Sequence, residues 1–214
     1  AAVRNLEQRI HQTNPSQFGY LVKLRGALVL VHLLNGDLAR ALTEARQLRT
    51  AATSSVLRNH MAWADYLEGC AHLHLLQLEP AALHFDRAAE NRHTLDTRAA
   101  LDALSGLVLA QRLMGDTDAA LISLSGLRDF ANLLGDPSAL SVVESCAARL
   151  AVAGGGDLTP HRLWAQGFRE DPSLASFLFW LEVPSITKAR VLIGEGSETS
   201  LNTAAEMLGA FRQQ

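Results

Sequence analysis

The stretch GEGSETS at residues 194–200 is the first place where residue types and spacing could do chemistry. Glycine-rich loops bind phosphates through their backbone amides, and Lys188 lies just upstream of this one. A phosphate-binding P-loop, however, requires a lysine directly after its second glycine and a strand before its first. Lys188 precedes both glycines and falls within a helical pattern. We therefore predict a turn between two helices, with no nucleotide or other cofactor bound by this chain.

The eight histidines raise the question of a metal site. His72 and His74 are close in sequence, but residues two apart on a helix point to nearly opposite faces and cannot bind one ion. His84 and His93 lack i, i+4 spacing, and the sequence around them shows no cysteine or carboxylate set in a ligand pattern. The sequence therefore predicts no metal site. The better interpretation is that the histidines either have hydrogen-bond partners within the fold or lie on the surface.

Catalytic residues are no better supported. No G-x-S-x-G elbow follows a strand. Cys70 and Cys146 lie far apart in helix-like segments, which is typical of reduced core thiols in an intracellular protein. Asp65 and Glu68 have i, i+3 spacing on a helix, which favours a solvated face over an acid–base pair. We predict no catalytic residue and expect that the chain is not an enzyme.

An aromatic and polar stripe is the most informative constellation. Asn59, Trp63 and Tyr66 are spaced i, i+4, i+7 and share one helix face, and Tyr20 and Lys23 occupy the corresponding helix of the preceding repeat. Such a surface suits a sugar-like or other small polar–apolar ligand, or an inserted peptide. Aromatic residues at helical spacing are more often core, and that alternative stays open. The candidate binding residues are Tyr20, Lys23, Asn59, Trp63, Tyr66 and His74.

These residues must be positioned by helices, because helical periodicity runs through the whole chain. Three segments, 20–48, 61–89 and 100–127, each show a helix, a tight turn and a second helix. An Ala-Leu pair early in the second helix begins at Ala41, Ala82 and Ala120, which gives spacings of 41 (41 to 82) and 38 (82 to 120) residues. We predict an all-α fold of antiparallel helix hairpins stacked into a right-handed superhelix, with the first helices lining the inner surface.

Small residues mark the expected turns and close helix contacts. The turns are predicted at Gly36–Asp37 and Gly115–Asp116, where glycine ends one helix and aspartate can cap the next, and at Glu79–Pro80 in the middle repeat. Close helix packing is expected at the glycines late in the first helices, Gly26, Gly69 and Gly106.

The repeats predict a single domain over residues 1–214. An aromatic group at Phe177, Phe179 and Trp180 is expected to pack locally before the last hairpin. The chain starts without Met and ends after a hairpin, so we expect a fragment of a larger protein. The repeats are predicted at 20–50, 57–90, 95–131, 137–153 (irregular), 159–181 (irregular) and 184–213.

Composition excludes several classes of protein. With 48% apolar and 19% charged residues, the chain is not intrinsically disordered. Its longest nearly uncharged apolar run, Ala27–Leu34, is far shorter than a membrane span. A net charge of −3 without basic runs predicts no direct nucleic-acid contact. No export signal is evident, so a cytoplasmic location is expected.

Two groups of motifs carry a family resemblance. The segment LEVPSITKARVLIGEGSETSLNTAAEMLGAF, preceded by LWAQGF, resembles the end of the helical repeat region of MalT-like regulators, the large ATP-binding regulators of the LuxR family. RGALVLVHLLNGDLARAL and GDTDAALISL resemble the tetratricopeptide-like repeats of that region. The resemblance covers the chain from about residue 20 to its end, and TKARVLIGEGSETSL is its most specific part.

The resemblance implies an effector-sensing domain of a transcription activator. Its partners would be a small-molecule inducer or a regulatory protein, together with ATPase and helix-turn-helix modules outside this chain. Self-association stays open, and no membrane partner is expected. Inducers differ within the family, so the resemblance assigns no ligand residue. The alternative is a tetratricopeptide-like adaptor that binds a peptide of another protein in its groove.

Overall fold

The part of the chain that the structure describes is all-α. In this computed structural model, residues 2–14, 16–54, 58–168 and 180–213 form eleven α-helices and one 3-10 turn, without any strand among them. At residues 54, 58, 59, 212 and 213 only the backbone is described. The predicted all-α class is confirmed, whereas the right-handed superhelix stays a prediction. Within these residues, no helix is long and apolar enough to cross a membrane.

The helices form two compact units, residues 1–116 and 117–214. The third predicted hairpin therefore contributes its first helix to one unit and its second helix to the other, and the single domain over 1–214 stays a prediction. The first unit contains α1 (Ala2–Gln12), α2 (Phe18–Leu34), α3 (Leu38–Ser54), α4 (Arg58–His74), α5 (Leu78–Glu90), the 3-10 turn Arg92–Thr94 and α6 (Thr97–Leu113). The second contains α7 (Thr117–Leu134), α8 (Pro137–Gly154), α9 (Thr159–Gly167), α10 (Pro184–Glu195) and α11 (Glu198–Gln213).

In the first unit, each helix packs against the next along the chain, and α4 also packs against α2 and α6. The first helices of successive hairpins therefore lie side by side, as expected where hairpins stack. Helices α4 and α6 are both deeply buried, since residues 64–73 of α4 and 99–110 of α6 are buried without interruption. In the second unit, α8 contacts α7, α9 and α10, and Ala148, Ala165 and Val191 bring α8, α9 and α10 into one small apolar core.

Three turns of the first unit repeat at intervals of 40 (36 to 76) and 39 (76 to 115) residues. Gly36, Leu76 and Gly115 adopt left-handed backbone with φ of 73°, 56° and 86°. In each turn, the N–H of the following residue donates to the carbonyl five residues earlier at 2.9 to 3.0 Å, which closes a Schellman motif. The turn predicted at Glu79–Pro80 is wrong in position, because the left-handed residue of this turn is Leu76. Pro80 does lie within the first turn of α5, as expected for a proline.

The buried alanines follow the same register. Ala41 and Ala120 are fully buried, each the fourth residue of its helix, as the small-residue pattern predicts. In α5 the equivalent residue is Ala81, which is fully buried, and not Ala82. The alignment through the Ala-Leu pair was thus shifted by one residue in the middle repeat, because α5 begins at Leu78.

Candidate functional site

A groove of about 200 Å³ lies between α2, α4 and the connection from α5 to α6. We call it the Trp63 groove. It brings together Lys23 and Trp63, two of the residues that the sequence analysis proposed for binding. The full lining is Val22, Lys23, His60, Trp63, Thr94, Leu95 and Asp96.

Trp63 owes its place in this groove to a glycine on the neighbouring helix. A Cβ added to Gly26 of α2 would lie 2.8 Å from the indole Nε1 of Trp63, closer than real Cβ contacts come. The glycine therefore lets the indole lie against the backbone of α2, while the ring remains half-buried. The small-residue pattern predicts that Gly26 faces its hairpin partner α3, but in the structure it faces α4. At Gly69 the expectation is confirmed, since its Cβ would meet the ring of Phe85 on α5 at 2.6 Å.

Two further predicted binding residues lie away from the Trp63 groove. Tyr20 is exposed on α2, one turn before Lys23, but is not among the lining residues. His74 is exposed at the last position of α4, about 16 Å along the helix from Trp63. Asn59 belongs to the first turn of α4, and its side chain lies outside what the structure describes.

Tyr66 belongs to the core and not to a binding surface. Its side chain is fully buried, with ring centroids 5.3 Å from Trp63 and 6.5 Å from Phe85. Its hydroxyl donates to the buried carboxylate of Asp102 on α6 at 2.7 Å. Burial, followed by the charge of Asp102, raises the pKa of Tyr66 well above its usual value of about 10. Tyr66 therefore remains neutral and links α4 to α6 beneath Trp63.

The electrostatics of the Trp63 groove depend on three side chains. Burial and the charge of Lys23 lower the pKa of His60, so this imidazole is neutral at physiological pH. Asp96 is the N-cap of α6 and accepts a hydrogen bond from the backbone of Ala99 at 3.0 Å. The groove thus combines a half-buried indole with one lysine cation and one carboxylate that already caps a helix.

A second groove, of about 430 Å³, surrounds the α10–α11 turn in the second unit. The turn prediction for GEGSETS is confirmed: Gly196 ends α10 with φ of 73°, and the Ser197 hydroxyl accepts from the Ser200 backbone at 3.2 Å. Lys188, within α10, donates to the Phe168 carbonyl at 2.9 Å. Ser200 donates to Glu195 at 2.7 Å, which places a carboxylate where a phosphate would be repelled. The lining is Ala165, Gln166, Lys188, Leu192, Glu195, Ser197, Thr199, Ser200 and Thr203.

A buried carboxylate, Glu182, connects α8 to the start of α10. Its side chain is fully buried and accepts hydrogen bonds from Ser145 at 2.5 Å and Thr187 at 2.6 Å. Arg149 donates to Glu182 at 3.1 Å and to the Leu181 carbonyl at 2.6 Å. The sequence offered no signal for this network, because its members lie up to 42 residues apart (145 to 187). Of the predicted aromatic group nearby, Phe177 and Phe179 lie outside the described residues.

A further polar cluster is buried between α3, α4 and α5. Asp65 and Glu68, expected on a solvated face, are 8% and 3% exposed. Arg49 of α3 forms ion pairs with both carboxylates, and His84 of α5 lies 3.0 Å from Asp65 Oδ1 and 3.4 Å from Glu68 Oε2. The rings of His72 and His84 are parallel, with centroids 5.3 Å apart. We call Arg49, Asp65, Glu68, His72 and His84 the histidine–carboxylate cluster.

The spacing of the histidines alone, without the carboxylates, does not indicate this cluster. Glu68 and His72 have the i, i+4 spacing that places them on one helix face, and that signal was available. The approach of His84 depends on the packing of α5 against α4, which spacing along the chain does not show. His74, two residues beyond His72, points to nearly the opposite side of α4 and is exposed at its end.

The chain was compared with protein families, characterised proteins and solved structures. None of them matches it. The resemblance to MalT-like regulators therefore rests on the sequence motifs alone, and the activity that it implies enters below as a proposal.

Proposed function

We propose that this chain is a non-catalytic binding module that receives its ligand in the Trp63 groove. The observation that carries the proposal is the half-buried indole of Trp63 beside the exposed Lys23, at the junction of two first helices. An aromatic face beside a cation is an arrangement that binds molecules with both an apolar and a polar part. Both side chains line the groove, where Lys23 is exposed and Trp63 is half-buried.

The chemistry of the groove defines the ligand class. The Trp63 face favours a flat or apolar group, and Lys23 favours a carboxylate or another hydrogen-bond acceptor. His60 is neutral at physiological pH and offers a hydrogen-bond donor and acceptor without a second positive charge. We therefore expect a small polar–apolar molecule that carries an acidic or strongly accepting group.

In a MalT-like regulator, such a module would be the effector-sensing segment. A ligand in the Trp63 groove would contact α2, α4 and the α5–α6 connection together, and so favour one arrangement of these three elements. ATPase and DNA-binding modules outside this chain would respond to that arrangement, which makes the mechanism allosteric and assigns no chemistry to this segment.

A peptide-binding adaptor is the second candidate, and the size of the groove favours it. At about 200 Å³ the Trp63 groove is smaller than the roughly 300 to 1,000 Å³ usual for drug-sized ligands. It also carries the charged residues Lys23 and Asp96, as a surface for one or two side chains of an extended peptide would. In this case Trp63 anchors a single residue of the partner.

A thermal-shift screen of the purified chain tests the proposal, because a ligand that binds only the folded state raises the melting temperature. The screen compares a library of small acidic metabolites with a library of acidic peptides. The expected result is a saturable shift that Lys23→Gln and Trp63→Ala abolish and that Tyr20→Ala, outside the groove, retains. A hit among the metabolites supports the sensor, and a hit among the peptides supports the adaptor. A hit that survives both groove variants, while circular dichroism shows them folded, overturns the site.

A further inference from the structure

We propose that Glu68, His72 and His84 of the histidine–carboxylate cluster form a site for a divalent transition-metal ion, Zn²⁺ by its ligand chemistry, that ties α4 to α5. One ligand atom from each of these three residues lies within 4.8 Å of the other two. All three side chains are buried, with exposures of 3%, 5% and 8%. The site is separate from the Trp63 groove and assigns a binding role that the proposed function does not include.

The imidazoles are held as metal-binding histidines usually are. In such sites one ring nitrogen binds the ion, and the other donates a hydrogen bond to an oxygen that fixes the ring. His72 Nδ1 lies 2.7 Å from Gln77 Oε1, and His84 Nδ1 lies 3.0 Å from Asp65 Oδ1. When Nδ1 is protonated and donates to these oxygens, Nε2 of each ring retains its lone pair as a ligand atom, and for His84 this tautomer competes with the Arg49 contact at Nδ1.

Glu68 supplies the anionic ligand. Its Oε2 lies 3.4 Å from His84 Nε2, close to the roughly 3.3 Å between ligand atoms of a tetrahedral Zn²⁺ with bonds near 2.0 Å. Its Oε1 is buried and forms no hydrogen bond among the described residues, although Arg49 Nε lies 2.8 Å away. Oε1 therefore already faces the Arg49 guanidinium, and Oε2, on the side of His84, is the oxygen that can bind the ion.

Arg49 is the competitor of the metal ion. Its Nη2 pairs with Asp65 and also lies 2.7 Å from His84 Nδ1, where it favours the opposite tautomer. The cluster contains two carboxylates and one guanidinium, so it carries one net negative charge when both histidines are neutral. Metal binding requires Arg49 Nη2 to move away from His84 Nδ1, so that Nδ1–H can donate a hydrogen bond to Asp65 Oδ1. The ligand atoms lie within 4.8 Å of one another, so the most widely separated pair must also approach to roughly 3.3 Å, a movement that side-chain rotation can supply.

The ligand set identifies the class of metal. Two imidazoles and one carboxylate suit zinc and its neighbours in the first transition row, whereas calcium and magnesium require oxygen ligands. Three protein ligands leave one position of a tetrahedral ion for water. Because the ligands come from two helices and are buried, the expected consequence of binding is a firmer contact between α4 and α5.

Titration of the chelator-treated full chain with Co²⁺, followed by displacement with Zn²⁺, tests this site. The expected result is one equivalent of Co²⁺ with the visible bands of a four-coordinate N/O site, and a melting temperature that Zn²⁺ raises. His72→Gln and His84→Gln should each weaken binding more than about 100-fold, and Gln77→Ala, which removes only the outer partner, about 10- to 100-fold.

His74→Gln is the matched control, since His74 is two residues from His72 on the same helix but exposed. It should leave the affinity, the Co²⁺ spectrum and the melting shift unchanged. Equal binding by wild type and His72→Gln overturns the site and leaves adventitious surface binding. Absence of any Co²⁺ bands in the folded wild-type chain overturns it as well. Neither result bears on the ligand screen, because Lys23 and Trp63 do not belong to the cluster.

Discussion

The indole of Trp63 lies where a side chain on Gly26 would be, with the absent Cβ only 2.8 Å from Nε1. Gly26→Ala should therefore displace the indole and destabilise the first unit by about 1–2 kcal/mol, because overpacking outweighs the better helix propensity of alanine. Urea unfolding measures the effect. Gly19→Ala on the same helix is the control, since a Cβ there meets nothing within 4 Å. Equal stability of the two variants would contradict the close contact.

Leu76 occupies a left-handed position that glycine fills in the two equivalent turns. Leu76→Gly should stabilise the chain by about 1 kcal/mol, because a left-handed conformation costs a residue with a Cβ roughly that much. Leu76 is 75% exposed, so little packing is lost. Leu75→Gly, at the preceding and ordinary backbone position, should instead destabilise. If both variants lower the free energy of unfolding, the turn is not strained at Leu76.

Substitution of Glu182 tests how much the buried network of the second unit contributes to stability. Glu182→Gln removes the charge from an acceptor of three side-chain donors and should cost about 2 kcal/mol, the usual range for hydrogen bonds to charged groups. Glu144→Gln is the control, because its pair with Arg128 is 45% and 48% exposed on the two sides. That surface pair should contribute less than about 1 kcal/mol. Equal losses in the two variants would show that Glu182 has no special role.

The pKa of His60 should depend on the charge of Lys23. The pKa of His60 is lowered by burial and by Lys23, so Lys23→Gln should raise it, as the chemical shift of its ring proton against pH would show. Arg46→Gln is the control, because Arg46 acts on His72 instead. An unchanged His60 pKa in Lys23→Gln would place the lysine head away from the groove.

The lowered pKa of His60 also determines how the stability of the chain changes with pH. Since the folded pKa of His60 lies below the usual 6.5, the unfolded chain binds more protons near that pH than the folded chain. The contribution of His60 to stability is therefore present above about pH 6.5 and is lost as the pH falls below it. The melting temperature of wild type should fall more steeply between pH 7 and 5.5 than that of His60→Gln.

Local signals in the sequence predicted the elements well. Helical periodicity gave the all-α class, and glycine in turns located Gly36 and Gly115 correctly, whereas in GEGSETS the turn was predicted without distinguishing Gly194, which lies inside α10, from Gly196, which ends it. The turn at Leu76 was missed because its residue type contradicts its backbone conformation, and only the repeat spacing of 40 and 39 residues indicates it.

The residues that form each site were harder to predict, because contacts between helices determine which side chains come together. Periodicity placed Trp63 and Tyr66 on one face, yet packing left Trp63 at the groove and buried Tyr66 against Asp102. Thr94 and Leu95 join the groove from an irregular connection that has no period. Asp65 and Glu68 were expected in solvent, and the approach of Arg49 from α3 is what allows their burial.

The central claim, that ligand binds at the Trp63 groove, is tested most directly by following the three indole N–H resonances during titration with the ligand found by thermal shift. Trp63 is the tryptophan of the groove, whereas Trp164 and Trp180 belong to the second unit. The proposal predicts that the Trp63 resonance and the His60 ring protons shift with the same dissociation constant, while the other two indoles do not move. Shifts confined to Trp164 or Trp180, with Trp63 unchanged, would contradict it.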